Sequence, residues 1–186
     1  MRIVAGKFRG KNLAKSDHLK LRPTTDKNRE ALFNILESGK IVKEIGFEIS
    51  GAEVLDLCCG TGAVGFEALS RGAKFVTFID NNREHLELVR KNSLDLKTEK
   101  DVKIIYSDAK KLPKNDKTFD LIFIDPPYKD DYVAILASLV ESGWVKKNSL
   151  VVAEFQTGRE LQTFEGFVKL DERRYGKTVF VFYSAV

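Results

Sequence analysis

The sequence has few cysteine and histidine residues, the side chains that form disulfides or bind transition metals. It contains two cysteines, Cys58 and Cys59, and two histidines, His18 and His85. The cysteines are adjacent within an apolar stretch, which favours small core residues over a disulfide or a metal-binding pair. The histidines have no partners at ligand spacing, so we interpret both as surface residues and predict no metal site.

Long hydrophobic runs are also absent. No segment approaches the roughly 18 consecutive apolar residues of a membrane span, and the opening MRIVAGKFRG lacks the apolar core of a signal peptide. We therefore expect a soluble, cytoplasmic protein without a membrane partner. A length of 186 residues with 43% hydrophobic content suits one α/β domain with a small extension.

Charge is distributed unevenly along the chain. Residues 1–29 contain nine Lys and Arg residues against two acids, a net of +7, whereas the rest of the chain carries −3. Glycines and interleaved apolar residues favour an ordered two-stranded ribbon in this segment. We predict a basic ribbon at 1–25 and a second domain at 26–186. Such a ribbon indicates a polyanionic partner, and a simply solvated basic terminus is the alternative.

The most informative motif is EVLDLCCGTGAVG, at residues 53–65. An apolar run, then glycines, then apolar residues at helical spacing predict a buried strand, a tight turn and a helix. Gly60, Gly62 and Gly65 satisfy G-x-G-x-x-G, which dinucleotide-binding and methyl-donor-binding proteins share. Asp56 lies inside the strand end, where its carboxylate would repel a pyrophosphate and attract a cation. A sulfonium donor therefore fits better, and a Rossmann oxidoreductase is an alternative.

Strands and helices alternate from residue 53 onward, which predicts a mostly parallel sheet with helices on both faces. The predicted strands lie at 53–58, 74–80, 102–106, 119–124 and 149–155. Helices are predicted at 26–38, 41–45, 62–71, 82–96 and 131–142. The chain ends in apolar stretches at 167–174 and 178–183, which predict an antiparallel hairpin.

Four aspartates end the predicted strands or follow them closely: Asp56, Asp80, Asp108 and Asp125. In such a sheet, ligands bind outside the carboxyl ends of the strands, so these acids should meet at one edge. Asp80 can accept hydrogen bonds from ribose hydroxyls, and Asp108 with Ala109 can contact an adenine. We predict a mainly negative pocket, which suits a sulfonium compound better than NAD or ATP.

The sequence Asp125-Pro126-Pro127-Tyr128 follows an apolar strand and predicts a rigid acceptor site. A conjugated amino group is a poor nucleophile, and acceptors for its N–H groups aim its lone pair. The Asp125 carboxylate and the Pro126 carbonyl can supply those acceptors. Tyr128 can stack on a base, a contact worth roughly 1–3 kcal/mol. A base in structured nucleic acid must be flipped out to reach this site.

The type of base is argued from hydrogen-bond donors. Guanine presents N1–H and N2–H₂ side by side, and an ionised aspartate only accepts hydrogen bonds. Adenine presents an amino group beside an acceptor, for which asparagine is the closer match. Asp125 therefore favours guanine, although the same loop also fits an adenine-N6 or a protein-glutamine methyltransferase.

The chain resembles the RsmD-type 16S ribosomal RNA guanine-N2 methyltransferases nearly from end to end. The resemblance is carried by MRIVAGKFRGKNL, LRPTTDKNREALFNIL, VLDLCCGTGAVGFEALSRGA, FID, SDA, DPPY and YGKTVFVFY. It implies an α/β fold with the seven-stranded class I methyltransferase sheet and S-adenosylmethionine as donor. The implied substrate is one guanine of 16S rRNA, position 966 in the usual rRNA numbering, and both naked rRNA and small-subunit assembly particles are alternatives for its form. A non-catalytic RNA-binding module with this fold is a further alternative.

The resemblance also implies roles for individual residues. Donor binding would involve Asp56, Gly60, Gly62, Asp80, Asn81, Asp108 and Ala109, and catalysis would involve Asp125, Pro126, Pro127 and Tyr128. RNA phosphates would contact Arg2, Lys7, Arg9, Lys11, Arg22 and Arg29, and Arg22, Pro23 and Thr24 would also close over the donor site. The family commonly has Phe-Ala and Ser where this chain has Cys58-Cys59 and Thr61. These differences leave the glycines in place.

Overall fold

The computed structural model of the chain describes residues 1–15, 25–127, 131–158 and 164–186. Its helices are α1 (Asp26–Ser38), α2 (Lys40–Glu44), α3 (Ala63–Ser70), α4 (Arg83–Leu96) and α5 (Tyr132–Glu141). Its strands are β1 (Glu53–Leu57), β2 (Phe75–Asp80), β3 (Val102–Tyr106), β4 (Leu121–Ile124), β5 (Leu150–Gln156), β6 (Phe167–Tyr175) and β7 (Thr178–Ala185). Every helix and strand predicted from residue 26 onward is present, with bounds that agree to within two residues.

The seven strands form one sheet in the order β3-β2-β1-β4-β5-β7-β6. The pairs from β3 to β5 are parallel, and β7 runs antiparallel between β5 and β6. The predicted α/β fold, a mostly parallel sheet with a C-terminal hairpin, is therefore confirmed. The strand order reverses between β1 and β4, and ligands of open α/β sheets bind at the carboxyl ends of such a pair.

The sheet is covered by apolar side chains on both faces. Phe33 of α1 and Phe66 of α3 belong to the cluster on one face, and Leu136 of α5 and Trp144 belong to the cluster on the other. Neighbouring residues of β1 contribute to opposite clusters and have no exposed surface. β1 is thus buried on both faces, as its apolar sequence predicts.

Side chains cap most of the longer helices at their start. Thr25, Asn82 and Asp131 accept hydrogen bonds from first-turn N–H groups of α1, α4 and α5. This is the usual way to satisfy N–H groups that have no partner within the helix. α3 differs, because its first residue follows Gly62, which has a φ of 76° and no side chain to offer. The first turn of α3 must therefore be satisfied from elsewhere.

Residues 1–15 form a compact turn that packs against α1, α3 and α4. The predicted two-stranded ribbon is reduced to one antiparallel bridge, between Arg2 and Asn12. Ile3 and Leu13 are buried in the same cluster as α1 and α3. The apolar residues interleaved with the basic ones thus join the core. The division of the chain into 1–25 and 26–186 stays a prediction.

The tip of this N-terminal turn lies at the end of α3. The N–H of Lys7 donates to the carbonyl of Ser70 at 2.7 Å, and the N–H of Phe8 donates to the Ser70 hydroxyl at 2.9 Å. Gly6 makes this approach possible, since a Cβ there would lie 1.9 Å from the Ser70 carbonyl oxygen. An eight-residue helix is about 12 Å long, so the tip lies that far along α3 from the glycine loop.

Candidate active site

The glycine loop connects β1 to α3 through left-handed backbone conformations. Cys58, Gly60 and Gly62 have φ angles of 62°, 53° and 76°. The strand therefore ends at Leu57, one residue before its predicted end. A Cβ at Gly62 would meet ring carbons of Phe66 and of a β2 phenylalanine at 3.0 Å. The tight turn predicted from the glycines is thus present at the carboxyl end of β1.

Asp56 supplies the cap that α3 lacks. Its Oδ2 accepts a hydrogen bond from the N–H of Gly65 at 2.9 Å, and the side chain is almost completely buried. Burial raises the pKa of Asp56 to about 7, the charge of Asp80 adds to the rise, and the Gly65 hydrogen bond opposes it. Near neutral pH the carboxyl group is therefore only partly ionised. Asp56 therefore holds the loop in place, and it attracts a cation less strongly than the fully ionised carboxylate expected from the sequence.

Asp80 lies at the end of β2, as predicted, and binds the same loop. Its Oδ2 accepts from the N–H of Gly60 at 2.9 Å, and its Oδ1 accepts from the N–H of Asn82 at 2.9 Å. The Nδ1 of His85 lies 3.1 Å from that Oδ1. A carboxylate offers about four acceptor positions, so about one is left for a ribose hydroxyl. A second hydroxyl would have to replace His85.

His85 and Asn81 both lie beside Asp80, but they differ in how far they are exposed to solvent. His85 is only 16% exposed in its side chain, so its interpretation as a surface residue is wrong. Nothing in the spacing of the two residues signals this contact, which depends on how α4 packs. Asn81, also expected at the donor site, is exposed directly after β2.

Asp108 and Ala109 follow β3 on the same edge. Asp108 accepts from the N–H of Lys110 at 2.9 Å and thereby caps the short 3-10 turn Ala109–Lys111, in which Ala109 is buried. The N–H of Ser107 donates to the Asp80 carbonyl at 3.1 Å, which ties the ends of β2 and β3 together. The residues predicted to contact a ribose and an adenine therefore lie on neighbouring loops.

The Asp-Pro-Pro corner lies across the reversal point from the glycine loop. The N–H of Asp125 donates to the carbonyl of Leu57 at 3.4 Å, so the corner begins beside the residue at which β1 ends. Pro126 is buried, Pro127 is exposed, and Asp125 is partly buried. Tyr128 lies outside the described residues. The structure thus brings the predicted acceptor corner next to the predicted donor loop.

Four of the six residues expected to contact RNA are exposed. Arg2, Lys7, Arg9 and Lys11 all lie on the surface of the N-terminal turn. Arg22 lies outside the described residues, as do Pro23 and Thr24. These four exposed cations lie in one segment of the chain, so a polyanion could contact them together.

Arg29 does not face solvent, and its expected contact with RNA phosphate is wrong. Its side chain is 0% exposed and donates to the carbonyl of Arg2 at 2.5 Å. Its guanidinium also lies 2.9 Å from an Asp26 oxygen and 3.5 Å from a Glu67 oxygen. The physical reason is that a buried cation requires anionic partners, and these two acids provide them.

Glu67 is a structural residue that the sequence argument missed. It is fully buried in α3, where it accepts from the N–H groups of Val4 and Ala5 at 2.8 and 3.0 Å. The Nε of Arg71 donates to it at 2.8 Å. The available signal was one acid within an otherwise apolar helix, AVGFEALS. Through Glu67, the helix that begins at the glycine loop holds the basic N-terminal turn.

The described part of the chain gives three further observations. None of the helices there combines the length and the hydrophobicity that a membrane-spanning helix needs. Within the same ranges, no group of three or more His, Cys, Asp or Glu side chains could hold a metal ion. Cys58 and Cys59 form no disulfide, and burial raises the pKa of the Cys59 thiol well above its usual value.

The sheet order, the glycine loop after β1 and the acid at the end of β2 define the class I methyltransferase fold. A solved structure of the putative methyltransferase yhhF from Escherichia coli has a TM-score of 0.81 to this chain at 26% identity, and the match covers 100% of this chain and 97% of that one. The family model described as conserved hypothetical protein 95 matches residues 1–184, so the chain belongs to that family.

Curated relatives have the names that the resemblance predicts. Ribosomal RNA small subunit methyltransferase D of Haemophilus influenzae is 35% identical, over 95% of this chain and 89% of its own length. The putative rRNA methyltransferase YlbH of Bacillus subtilis is 32% identical, over 99% of this chain and 98% of its own length. The family resemblance drawn from the sequence motifs is therefore confirmed.

Proposed function

We propose that this protein transfers a methyl group from S-adenosylmethionine to the exocyclic N2 amino group of a guanine in small-subunit rRNA. One observation carries the proposal. The N–H of Asp125 binds the carbonyl of Leu57, which joins the acceptor corner to the strand that leads into the glycine loop. The residues proposed for the donor pocket and those proposed for the amino-group acceptor site are thus adjacent, which supports the proposal. The names of the curated relatives support rRNA as the substrate class.

The residues at the strand ends fit the proposed donor. Asp80 has about one acceptor position left for a ribose hydroxyl, and Ala109 offers a buried apolar contact for the adenine. The left-handed turn at Gly60 and Gly62 leaves the loop backbone close to the pocket. When bound, S-adenosylmethionine supplies an electrophilic methyl carbon on a positively charged sulfur. The pocket's fixed charge would come mainly from Asp80, because Asp56 is only partly ionised.

The acceptor corner would position the amino group. The Asp125 carboxylate and the Pro126 carbonyl would accept its N–H groups, which directs the nitrogen lone pair toward the donor. Pro126 is buried, and its ring limits the backbone, so the two acceptors stay in fixed positions. Tyr128, in the same motif, would stack on the base. An ionised aspartate matches the donor-rich edge of guanine better than adenine.

The N-terminal turn would bind the phosphates around the target. Its cations Arg2, Lys7, Arg9 and Lys11 are all exposed, and Arg22 would also contact phosphate. The tip of the turn is about 12 Å from the glycine loop along the axis of α3. An RNA held by this surface must therefore present a flipped-out base at some distance from the phosphates that bind the tip.

Product analysis tests the proposal. Unmodified small-subunit particles and naked 16S rRNA are incubated with methyl-labelled S-adenosylmethionine, and the RNA is digested to nucleosides. We expect label in N2-methylguanosine, mapping to the guanine at position 966 that the resemblance implies. Label in N6-methyladenosine or in protein glutamine would favour the other amino methyltransferases. RNA binding without donor binding would favour a non-catalytic module, and tight NADH binding alone would favour an oxidoreductase.

A further inference from the structure

A buried side chain of α4 contacts the middle of the glycine loop. Asn92 is only 1% exposed, and its Nδ2 donates a hydrogen bond to the backbone carbonyl of Thr61 at 3.2 Å. Thr61 lies between Gly60 and Gly62, the two loop glycines with left-handed backbone conformations. Thr61 is itself buried. An amide from a distant helix therefore binds the backbone of the candidate donor loop.

The peptide unit that contains the Thr61 carbonyl is held at both of its polar groups. Its N–H, which belongs to Gly62, donates to the carbonyl of Cys59 at 2.7 Å. A peptide unit is planar, and in the trans form its C=O and N–H groups point in opposite directions. The two hydrogen bonds, from Asn92 and to Cys59, therefore fix the orientation of this plane. A rotation of the plane would change which backbone groups of the loop face a ligand.

The N-terminal segment orients the Asn92 amide. The backbone N–H of Ala14 donates to Oδ1 of Asn92 at 2.6 Å. The oxygen of an amide only accepts hydrogen bonds and its NH₂ group only donates them, so a single orientation of the amide satisfies both Ala14 and Thr61. The same segment touches the loop a second time, because the Thr61 hydroxyl donates to the sulfur of Met1 at 3.9 Å. The N-terminal segment thus supports the glycine loop at two points.

We propose that Asn92 is a positioning residue for the methyl donor. It holds the Thr61–Gly62 peptide in the orientation in which the loop binds S-adenosylmethionine, and it acts through this peptide rather than on the donor itself. Asp80 and Asp56 bind the chain on either side of this peptide, and Asn92 holds the part between them. Loss of the amide should therefore weaken donor binding and leave the acceptor corner unchanged. This inference rests on the proposed function and adds a residue that supports its donor site.

Asn92→Leu tests this role, because leucine has a similar shape but makes neither hydrogen bond. We expect the Kd of S-adenosylhomocysteine, measured by calorimetry, and the KM for S-adenosylmethionine to rise by about tenfold. At saturating donor, kcat should stay within about threefold of wild type, since the amide takes no part in the methyl transfer itself. A lower kcat with an unchanged KM for the donor would indicate a smaller folded fraction. That result would overturn the inference and give Asn92 a purely structural role.

Ser93→Ala is the matched control. Ser93 is the next residue of α4 and is also buried, but its hydroxyl contacts Thr98 at 3.3 Å and not the loop. This variant should keep the wild-type KM for the donor, and a rise equal to that of Asn92→Leu would overturn the inference.

A measurement on the wild-type protein does not depend on how a variant folds. The side-chain NH₂ of Asn92 is observed by NMR, and its resonances should shift and exchange more slowly with water when S-adenosylhomocysteine is added, because the ligand stabilises the loop that the amide binds. Unchanged resonances and exchange rates in the bound protein would overturn the inference. Failure of the wild-type protein to bind the donor would instead contradict the proposed function.

Discussion

The carboxylate of Asp56 in β1 caps α3 by accepting a hydrogen bond from the N–H of Gly65 at 2.9 Å. The strand and the helix on either side of the glycine loop are thus joined by one buried side chain. The same burial raises the pKa of Asp56 to about 7, so the loop is held by a group that titrates near neutral pH. The stability of the fold and the pH of the solution are therefore linked.

Substitution of Asp56 by asparagine should change the pH dependence of stability. The folded-state pKa of about 7 lies above the unfolded value of 3.8, so the folded state binds more protons between these values. Wild-type stability should therefore fall as pH rises from about 4 to about 7. Asp56→Asn keeps the acceptor for Gly65 but cannot ionise. Its unfolding free energy relative to wild type should rise over this range, by several kcal/mol at most.

Thermal unfolding at several pH values measures this difference. Asp116→Asn is the control, because Asp116 is exposed, and its difference from wild type should be nearly independent of pH. A constant difference between Asp56→Asn and wild type from pH 4 to pH 8 would contradict the burial argument.

Removal of the Asp125 carboxylate should separate catalysis from donor binding. We expect Asp125→Ala to reduce methyl transfer by about a hundredfold or more, since it removes an acceptor that aligns the amino group. Donor affinity measured by calorimetry should stay within about twofold of wild type, because the glycine loop is held by Asp56 and Asp80. Asp116→Ala is the control for an aspartate outside the site. Turnover near the wild-type rate in Asp125→Ala would disprove the catalytic assignment.

Substitution of Arg29 should affect stability and not RNA binding. Arg29→Met leaves the buried carboxylate of Glu67 with one cation fewer. Breaking such a buried pair typically costs about 3–5 kcal/mol of unfolding free energy. Arg2→Met is the control, because Arg2 is 68% exposed and its change should stay within about 0.5 kcal/mol. The salt dependence of RNA binding by folded Arg29→Met should match wild type. A smaller slope of log affinity against log salt would indicate that Arg29 contacts RNA phosphate.

Neutralisation of the N-terminal turn should weaken RNA binding in a salt-dependent way. The double variant Arg9→Gln/Lys11→Gln removes two exposed cations. If both contact phosphates, the slope of log affinity against log salt should decrease by about two. Lys97→Gln/Lys100→Gln removes two other exposed cations, after α4, and should leave the slope unchanged. An unchanged slope in Arg9→Gln/Lys11→Gln would indicate that the RNA binds to a different surface of the protein.

The sequence predicts the fold well because its signals are local. The alternation of apolar strands and amphipathic helices determines the sheet, and a cap residue such as Thr25 marks where a helix begins. The strand ends bring Asp80 and Asp125 to one edge by a general rule of such sheets. These parts of the site follow from pattern and topology.

The remaining parts depend on contacts between distant segments. Arg29 has the same charge as its exposed neighbours in sequence, and only the packing of α1 against Glu67 of α3 shows that it is buried. His85 reaches Asp80 because of the way α4 crosses β2. Asp56 was expected to act by its charge, but burial raises its pKa to about 7 and so reduces that charge near neutral pH. Burial and pairing of ionisable groups are tertiary properties, which a residue pattern does not contain.

A crystal structure with S-adenosylhomocysteine bound tests the central claim most directly. The account predicts its ribose at the carboxylate of Asp80, its adenine beside Ala109 and its sulfur facing the Asp125-Pro126 corner. Binding away from the carboxyl ends of β1, β2 and β4, or a sulfur directed away from that corner, would contradict the account.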